Sequence, residues 1–425
     1  MVSEEIVQKV LGEIQEEELV ELAASLVRIN SVWDPEAGSS EEEAARFVAS
    51  WARQQGFQVL VEEAAPGRPN VIIEWEADPG SRRLMFEAHT DVVTPGDPLQ
   101  WKHDPFGGEI LEGRLYGRGA NDTKGNLAAM LVAMAAIKKA RPKLKGSILG
   151  GVLCDEEGLM LGVQDFIRRG HADKVTGAII CEPQDGYICP VQKGAVRAMF
   201  LVKGRMSHGA MPLSGLNPVP VLSRLIDGLW NMEEEAAQTH GKDPLLGWPS
   251  FTPTVVRAPA RGPAQLSVVA SKAELLVDIR TVPAQSHQKI VEALQELAAK
   301  AKEETLAAYT RLDSLLGVKR QLSLEVGMEV LSDRPCTHTS MEDPLVKSVE
   351  WATRTLTGKE PVYGGVPGAT DGTFLWAWKG IPIVTIGAGD REVPHQVDEW
   401  VDLAQLFLTA KLYAVSALAY LSQEG

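Results

Sequence analysis

The sequence predicts an α/β fold: a helix-covered central mixed sheet interrupted by an inserted ferredoxin-like α+β domain. Three observations carry this expectation. Short apolar runs bounded by turn signals alternate with helical periodicities as far as Gln192, the pattern of a sheet covered by helices on both faces. The order then becomes β-α-β-β-α-β, that of a split α+β sandwich. Helix followed by strand resumes from Pro344. A chain of 425 residues also exceeds one core of ordinary size, so two domains are expected.

The elements follow in order. The Glu-rich stretch from Met1 to Asn30 is helical in spacing, with a helix expected over 17–28. A second covers 40–55, where the Ser40 hydroxyl can cap it. Strands are expected over 58–62 and 70–74, and helices over 126–140 and 162–169. In the insertion a strand over 195–202 precedes a helix over 216–232. Asn217 can cap that helix, Pro218 suits its first turn, and Leu222, Leu225, Ile226 and Leu229 form one apolar stripe. Strands over 254–258 and 266–280, an amphipathic helix over 286–302 carrying Ile290, Leu294, Leu297 and Ala298, and a strand over 321–330 complete it. A last helix starts near Leu403. The expected boundaries are 1–194, 195–335 and 336–425, with the outer two segments forming one discontinuous domain.

Composition narrows the function. The chain is 44% apolar and 23% charged, as a soluble globular protein is, and its formal charge of −15 argues against a nucleic-acid partner. The N-terminus lacks the basic start and apolar core of a signal peptide. No apolar stretch reaches the roughly 20 residues of a membrane helix. Cys154, Cys181, Cys189 and Cys336 form no CxxC pair, so a reduced, cytoplasmic protein without a disulfide scaffold is expected.

The chemistry lies where apolar runs stop. Leu84-Met85-Phe86 leads to His89-Thr90-Asp91, and Val152-Leu153 to Asp155-Glu156-Glu157. Ala178-Ile179-Ile180 leads to Glu182, and Ile383-Val384-Thr385-Ile386 through a glycine turn to His395. Ligands of open α/β sheets gather at the carboxyl ends of such strands. Asp122 sits in the Gly117–Gly125 loop before an Ala-rich helix; that loop lacks the third glycine of a dinucleotide site and the ending of a P-loop. Three adjacent acids on an apolar run repel one another unless a cation is near, although a solvated turn is the plainer alternative. Two divalent ions would balance Asp122, Glu157, Glu182 and a bridging hydroxide, with His89 and His395 as neutral ligands. Such a mixed donor set suits zinc, with cobalt or manganese as alternatives. Glu156 is the acid left over, and a hydrolase needs one as general base. Asp91, spaced i, i+2 from His89, can orient its imidazole.

These residues resemble the dinuclear zinc amidohydrolases and exopeptidases that include acetylornithine deacetylase, succinyl-diaminopimelate desuccinylase, aminoacylase and glutamate carboxypeptidase. The resemblance spans Trp101 with Asp104-Pro105-Phe106, Leu115-Tyr116-Gly117-Arg118-Gly119, Lys124-Gly125, Glu182-Pro183, Lys193-Gly194, Ser207-His208-Gly209, Asn217-Pro218, Asp278-Ile279-Arg280 and Asp398-Glu399. It implies a zinc exopeptidase-like catalytic domain with a lid and dimerisation domain inserted over 195–335. Asp122 would bridge two ions, His89 and Glu182 holding one, Glu157 and His395 the other, and the Asp122–Thr123 peptide would be cis. It further implies that His208 stabilises the oxyanion and Arg280 holds a substrate carboxylate, with Asn217 and Gly368 as further substrate contacts. From the residues alone His208 reads first as a surface histidine and Asn217 first as a helix cap, while Arg280 reads equally as a structural ion pair. Gly387 and Gly389 either let backbone approach substrate or only make a turn. Ser267 and Thr123 depart from residues common in the family, which bears on the substrate. The expected activity is hydrolysis of the amide of an N-acyl-amino acid, with a carboxypeptidase or dipeptidase as the alternative. A non-catalytic metal-binding relative and a nucleotide-dependent α/β enzyme are the readings of other classes.

Overall fold

The computed structural model describes residues 2–142 and 144–422. The chain divides into two compact units, one formed by Met1–Gln192, Thr337–Val366 and Thr370–Gly425, the other by Lys193–Cys336 and Pro367–Ala369. The first unit opens with α1 (Glu4–Leu11), α2 (Glu16–Val27), α3 (Glu42–Gln54), β1 (Gln58–Ala65), β2 (Arg68–Glu76) and β3 (Asp78–His89). It continues through β4 (Glu109–Leu111), β5 (Arg114–Tyr116), α4 (Lys124–Ala140), β6 (Lys145–Leu153), α5 (Leu161–Arg168), β7 (Gly177–Ile180) and β8 (Ile188–Gln192). The second unit holds β9 (Gly194–Lys203), β10 (Ser207–His208), α6 (Val219–His240), β11 (Ser250–Arg257), β12 (Val268–Val269), β13 (Lys272–Thr281), α7 (His287–Leu316) and β14 (Glu325–Arg334). The first resumes with β15 (Thr337–His338), α8 (Pro344–Thr357), β16 (Tyr363–Val366), α9 (Gly372–Lys379), β17 (Ile383–Thr385), β18 (Trp400–Asp402) and α10 (Leu403–Leu421).

The large sheet runs β1-β2-β6-β3-β7-β17-β8-β15, with β16 beside β8. It is mixed: β3 lies parallel to both β6 and β7, β17 parallel to β7, while β2 meets β6 antiparallel. Register explains the site, because His89 stands opposite Leu153 and Glu87 opposite Ile180. The segments after β3, β6 and β7 therefore leave the sheet at one carboxyl edge, and Thr385 ends β17 level with Ile180. Period-2 burial covers both faces: Leu84, Phe86 and Ala88 join the core under α2, α4 and α10, and Met85 joins that of α5 and α9.

Helix α4 is buried almost all round, as an Ala-rich helix packed against α2 and α10 must be. Helix α10 closes the first unit. Its 19 residues are long and apolar enough, by length and composition, to cross a membrane. Most of it is buried against α1, α4 and α8, so its apolarity is accounted for by the core.

The second unit has sheet order β11-β13-β9-β14, antiparallel throughout, the ferredoxin-like arrangement. Val196, Ala198, Phe200 and Val202 face Leu222, Leu225, Leu229 and Leu294 of the two helices. The strand expected over 266–280 is two pieces. Leu266 is fully exposed, Val268–Val269 pairs with Ser207–His208, and the chain turns at Ser271, whose carbonyl accepts the Gly204 amide, before β13 begins. Helix α7 continues past Lys302 to Leu316, because no breaker intervenes before Gly317 closes it in the left-handed region at φ 65°.

Candidate metal centre

Five residues named from the sequence form two trios that share one carboxylate. His89, Asp122 and Glu182 make the first, Asp122, Glu157 and His395 the second, and in each the potential ligand atoms lie within 4.8 Å of one another. His89 Nε2 is 3.1 Å from Asp122 Oδ1 and 3.3 Å from Glu182 Oε1. His395 Nε2 is 2.7 Å from Glu157 Oε1 and 3.5 Å from Asp122 Oδ2. The Asp122–Thr123 peptide is cis.

The surroundings fix these side chains. His89 Nδ1 donates to the Asp91 carbonyl at 2.9 Å, which leaves Nε2 to face the trio. The Asp91 carboxylate is 3.6 Å from that ring, and its oxygens accept the amides of Glu156 and Glu157 at 3.1 and 3.0 Å. The imidazole is thus oriented by the Asp91 backbone, while the Asp91 side chain holds the acid turn. Thr123 donates to the Cys181 carbonyl, tying the Asp122 loop to the end of β7.

Glu399 is a further positioning group, one that no local sequence pattern singles out. Its buried carboxylate accepts the amides of Gly119, Asn121 and Asp122 at 3.0–3.1 Å and pairs with Arg118 at 2.5 Å. Its only advance signal was its place after His395 and Asp398. Gly387 and Gly389 are required by packing: a Cβ at Gly387 would lie 2.5 Å from the Glu182 carbonyl, and one at Gly389 1.8 Å from Asn121 Oδ1. Gly117–Gly125 carries Asp122 and turns into α4.

The electrostatics ask for cations. Burial, then the charge of Asp122, pushes Glu182 up to about 7, and the same two causes raise Glu157. Burial raises Glu156 well above the carboxylate range. Burial opposes ionisation of Asp122 too, but hydrogen bonds from His395 and His89 outweigh it and hold that carboxyl low. Hydrogen bonds to Asp122 and Glu157 push His395 up to about 10. Glu182 Oε1 is buried and has no well-aligned hydrogen bond, with the His89 ring 3.3 Å away. Two imidazole nitrogens and three carboxylates in shared trios fit a pair of divalent cations.

The other expected site residues belong to the second unit. His208 is exposed on β10 and its Nδ1 accepts the Ala210 amide. Arg280 is gripped by Asp278, Nε to Oδ1 at 2.5 Å and Nη2 to Oδ2 at 3.2 Å, and Gly368 packs beside its guanidinium. Asn217 Oδ1 accepts the Val219 amide, so it caps α6.

Comparison with known proteins agrees in extent and kind. Residues 85–419 match Peptidase family M20/M25/M40. A succinyl-diaminopimelate desuccinylase of Cereibacter sphaeroides (strain ATCC 17029 / ATH 2.4.9) is 30% identical over 395 residues, covering 91% of this chain and 94% of that protein. Among solved structures, the M20 family metallo-carboxypeptidase Sso-CP2 from Sulfolobus solfataricus superposes with a TM-score of 0.76 at 19% identity, over 95% of this chain and 99% of that one. The di-peptidase Dug1p from Saccharomyces cerevisiae gives 0.75 at 16% identity, over 99% of each. With the family matched across most of its length, the chain belongs to Peptidase family M20/M25/M40 and is a hydrolytic enzyme acting on amide or peptide bonds.

Proposed function

We infer that this enzyme is a two-metal deacylase that cleaves the amide of an N-acyl-amino acid, of desuccinylase type. One observation carries the reading: two ligand trios share Asp122, and Glu156, next to the ligand Glu157, belongs to neither. The desuccinylase relative, alike over nearly the whole of both chains, supports the substrate class. His89, Glu182, Asp122, Glu157 and His395 would hold the ions, zinc by donor set, with cobalt or manganese as alternatives. Bound there, the pair would polarise the scissile carbonyl and acidify water. Glu156 is left to move the proton. Its carboxyl is buried and raised well above the ordinary range, suited to take a proton from water and pass it to the leaving nitrogen. Arg280, its fork set by Asp278, is the candidate for the substrate carboxylate, and His208 for the oxyanion. A homodimer through the 195–335 domain and a cytoplasmic location complete the proposal; the four unpaired, buried thiols support a reducing compartment.

The test is turnover of N-acetyl-, N-succinyl- and N-formyl-amino acids and dipeptides with added zinc, cobalt or manganese, beside Glu156→Gln. Succinyl- or acetyl-amino acid hydrolysis that falls about 10²–10⁴-fold in the variant, with metal content unchanged, is the expected result. Preference for dipeptides would move the assignment to the carboxypeptidase or dipeptidase reading. Metal uptake without turnover would leave a binding protein.

A further inference from the structure

We propose that Arg68 is a positioning residue for the turn Asp155-Glu156-Glu157, acting through Asp155. This rests on the reading of Glu156 as general base. Arg68 starts β2, remote in sequence from every proposed ligand, yet its guanidinium is buried and shared between two carboxylates. Its Nε donates to Glu41 Oε1 at 2.8 Å, Nη2 reaches the same carboxylate, and Nη1 pairs with Asp155 Oδ1. The Trp33 ring lies 4.5 Å from Cζ.

Asp155 makes the turn. It stands at φ 64°, a region disfavoured for residues other than glycine. Its Oδ2 accepts the amides of Leu159 and Leu161 at 3.0 and 3.2 Å, and its carbonyl accepts that of Met160 at 2.7 Å. The next two amides, of Glu156 and Glu157, go to Asp91. Two carboxylates thus grip the acid turn from opposite ends, and Arg68 pairs directly with one of them, Asp155. Without that cation Asp155 would be a buried carboxylate lacking its counter-ion. As a source of stability alone, a buried triad with one cation against two anions is a poor choice, since apolar groups of similar volume serve as well or better. Its value lies in where it leaves Glu156.

The experiment compares Arg68→Met, Asp155→Asn, their double variant and Glu41→Gln on the substrate that wild type hydrolyses best, with metal content and thermal unfolding recorded. Arg68→Met and Asp155→Asn are expected to lower kcat about 10–100-fold while KM stays within about twofold and both ions are retained. The double variant should be no worse than either single, the signature of one shared interaction. Glu41→Gln keeps the Arg68–Asp155 pair and should keep kcat within a few-fold, whatever its effect on unfolding temperature. An unchanged kcat in folded Arg68→Met overturns the proposal, and so does an equal loss in Glu41→Gln, which would mark general destabilisation. Should Arg68→Met not fold, Asp155→Asn decides the same comparison. A fully active Glu156→Gln would instead remove the base assignment, a failure separate from this one.

Discussion

At Glu399 a single buried carboxylate does the work of three hydrogen-bond acceptors and one counter-ion. It collects the amides of Gly119, Asn121 and Asp122 and neutralises Arg118; burial, then the charge of Asp122, pushes it up to about 7. Glu399→Ala would strand the Arg118 guanidinium in the interior, a cost of about 3–5 kcal/mol, and release the loop that aims Asp122. Zinc affinity should fall about 10–100-fold, as for other groups that orient ligands. Denaturant unfolding and zinc titration measure the two effects, and unchanged zinc affinity would show that the loop holds its shape alone. The contrast with the proposed ligands explains what a sequence exposes. His89, Glu157 and Glu182 follow apolar strands, so the change of chemistry is visible locally. Glu399 and Arg68 act on groups that are neighbours only after folding: nothing in its own stretch of chain marks Arg68, and Glu399 is marked only by its place beside Asp398 after His395.

Among elements, alternation of apolar runs and helical stripes was enough to place β3, β6, β7 and the helices between them, because each buries a regular face. It was not enough at the end of α7, nor in the 266–280 region, where pairing of β10 with β12 and the turn at Ser271 decide the outcome. The start of α4 is a place where element and site share atoms. A Cβ on Gly125 would lie 2.4 Å from the Ala120 carbonyl oxygen, which is backbone and cannot swing away. Alanine is the better helix former by about 1 kcal/mol, so a net loss in Gly125→Ala reports the clash. A loss of about 1–3 kcal/mol, with weaker metal binding, is expected from unfolding and titration curves. In the second unit the first turn of α7 is pinned to the end of β14 by His287, whose Nδ1 meets Asp333 and whose Nε2 meets Thr281. Burial alone would lower this imidazole, but the hydrogen bonds to Asp333 and Cys336 outweigh it and push it up to about 9. A proton bound more tightly in the folded chain stabilises it fully below the unfolded value of 6.5 and ceases to do so as pH rises through about 9. The difference in unfolding temperature between wild type and Asp333→Asn should therefore be present near about pH 6 and vanish by about pH 10. A difference constant over that window would assign the contact no linkage to protonation.

For the molecule as a whole, three hydrophobic cores and one candidate metal centre make different demands. The core under β9 and β13 is apolar and contains none of the proposed ligands. All five belong to the first unit, His395 from the segment after the insertion and the other four from before it. That unit must hold Asp122, Glu157 and Glu182 together, with Glu156 beside them, and their mutual repulsion weakens the ion-free chain. Ions that bind only the folded form repay this by mass action, about 2.7 kcal/mol when free ion exceeds its dissociation constant 100-fold. Hydrogen exchange with and without zinc resolves where the gain appears. Protection should rise in β3, β6 and α4, whose ends carry or flank the proposed ligands, and stay level in the cores of α6 and α7. An increase spread evenly over both units, or absent from the first, would place the ions elsewhere and separate the acid cluster from the chemistry assigned to it.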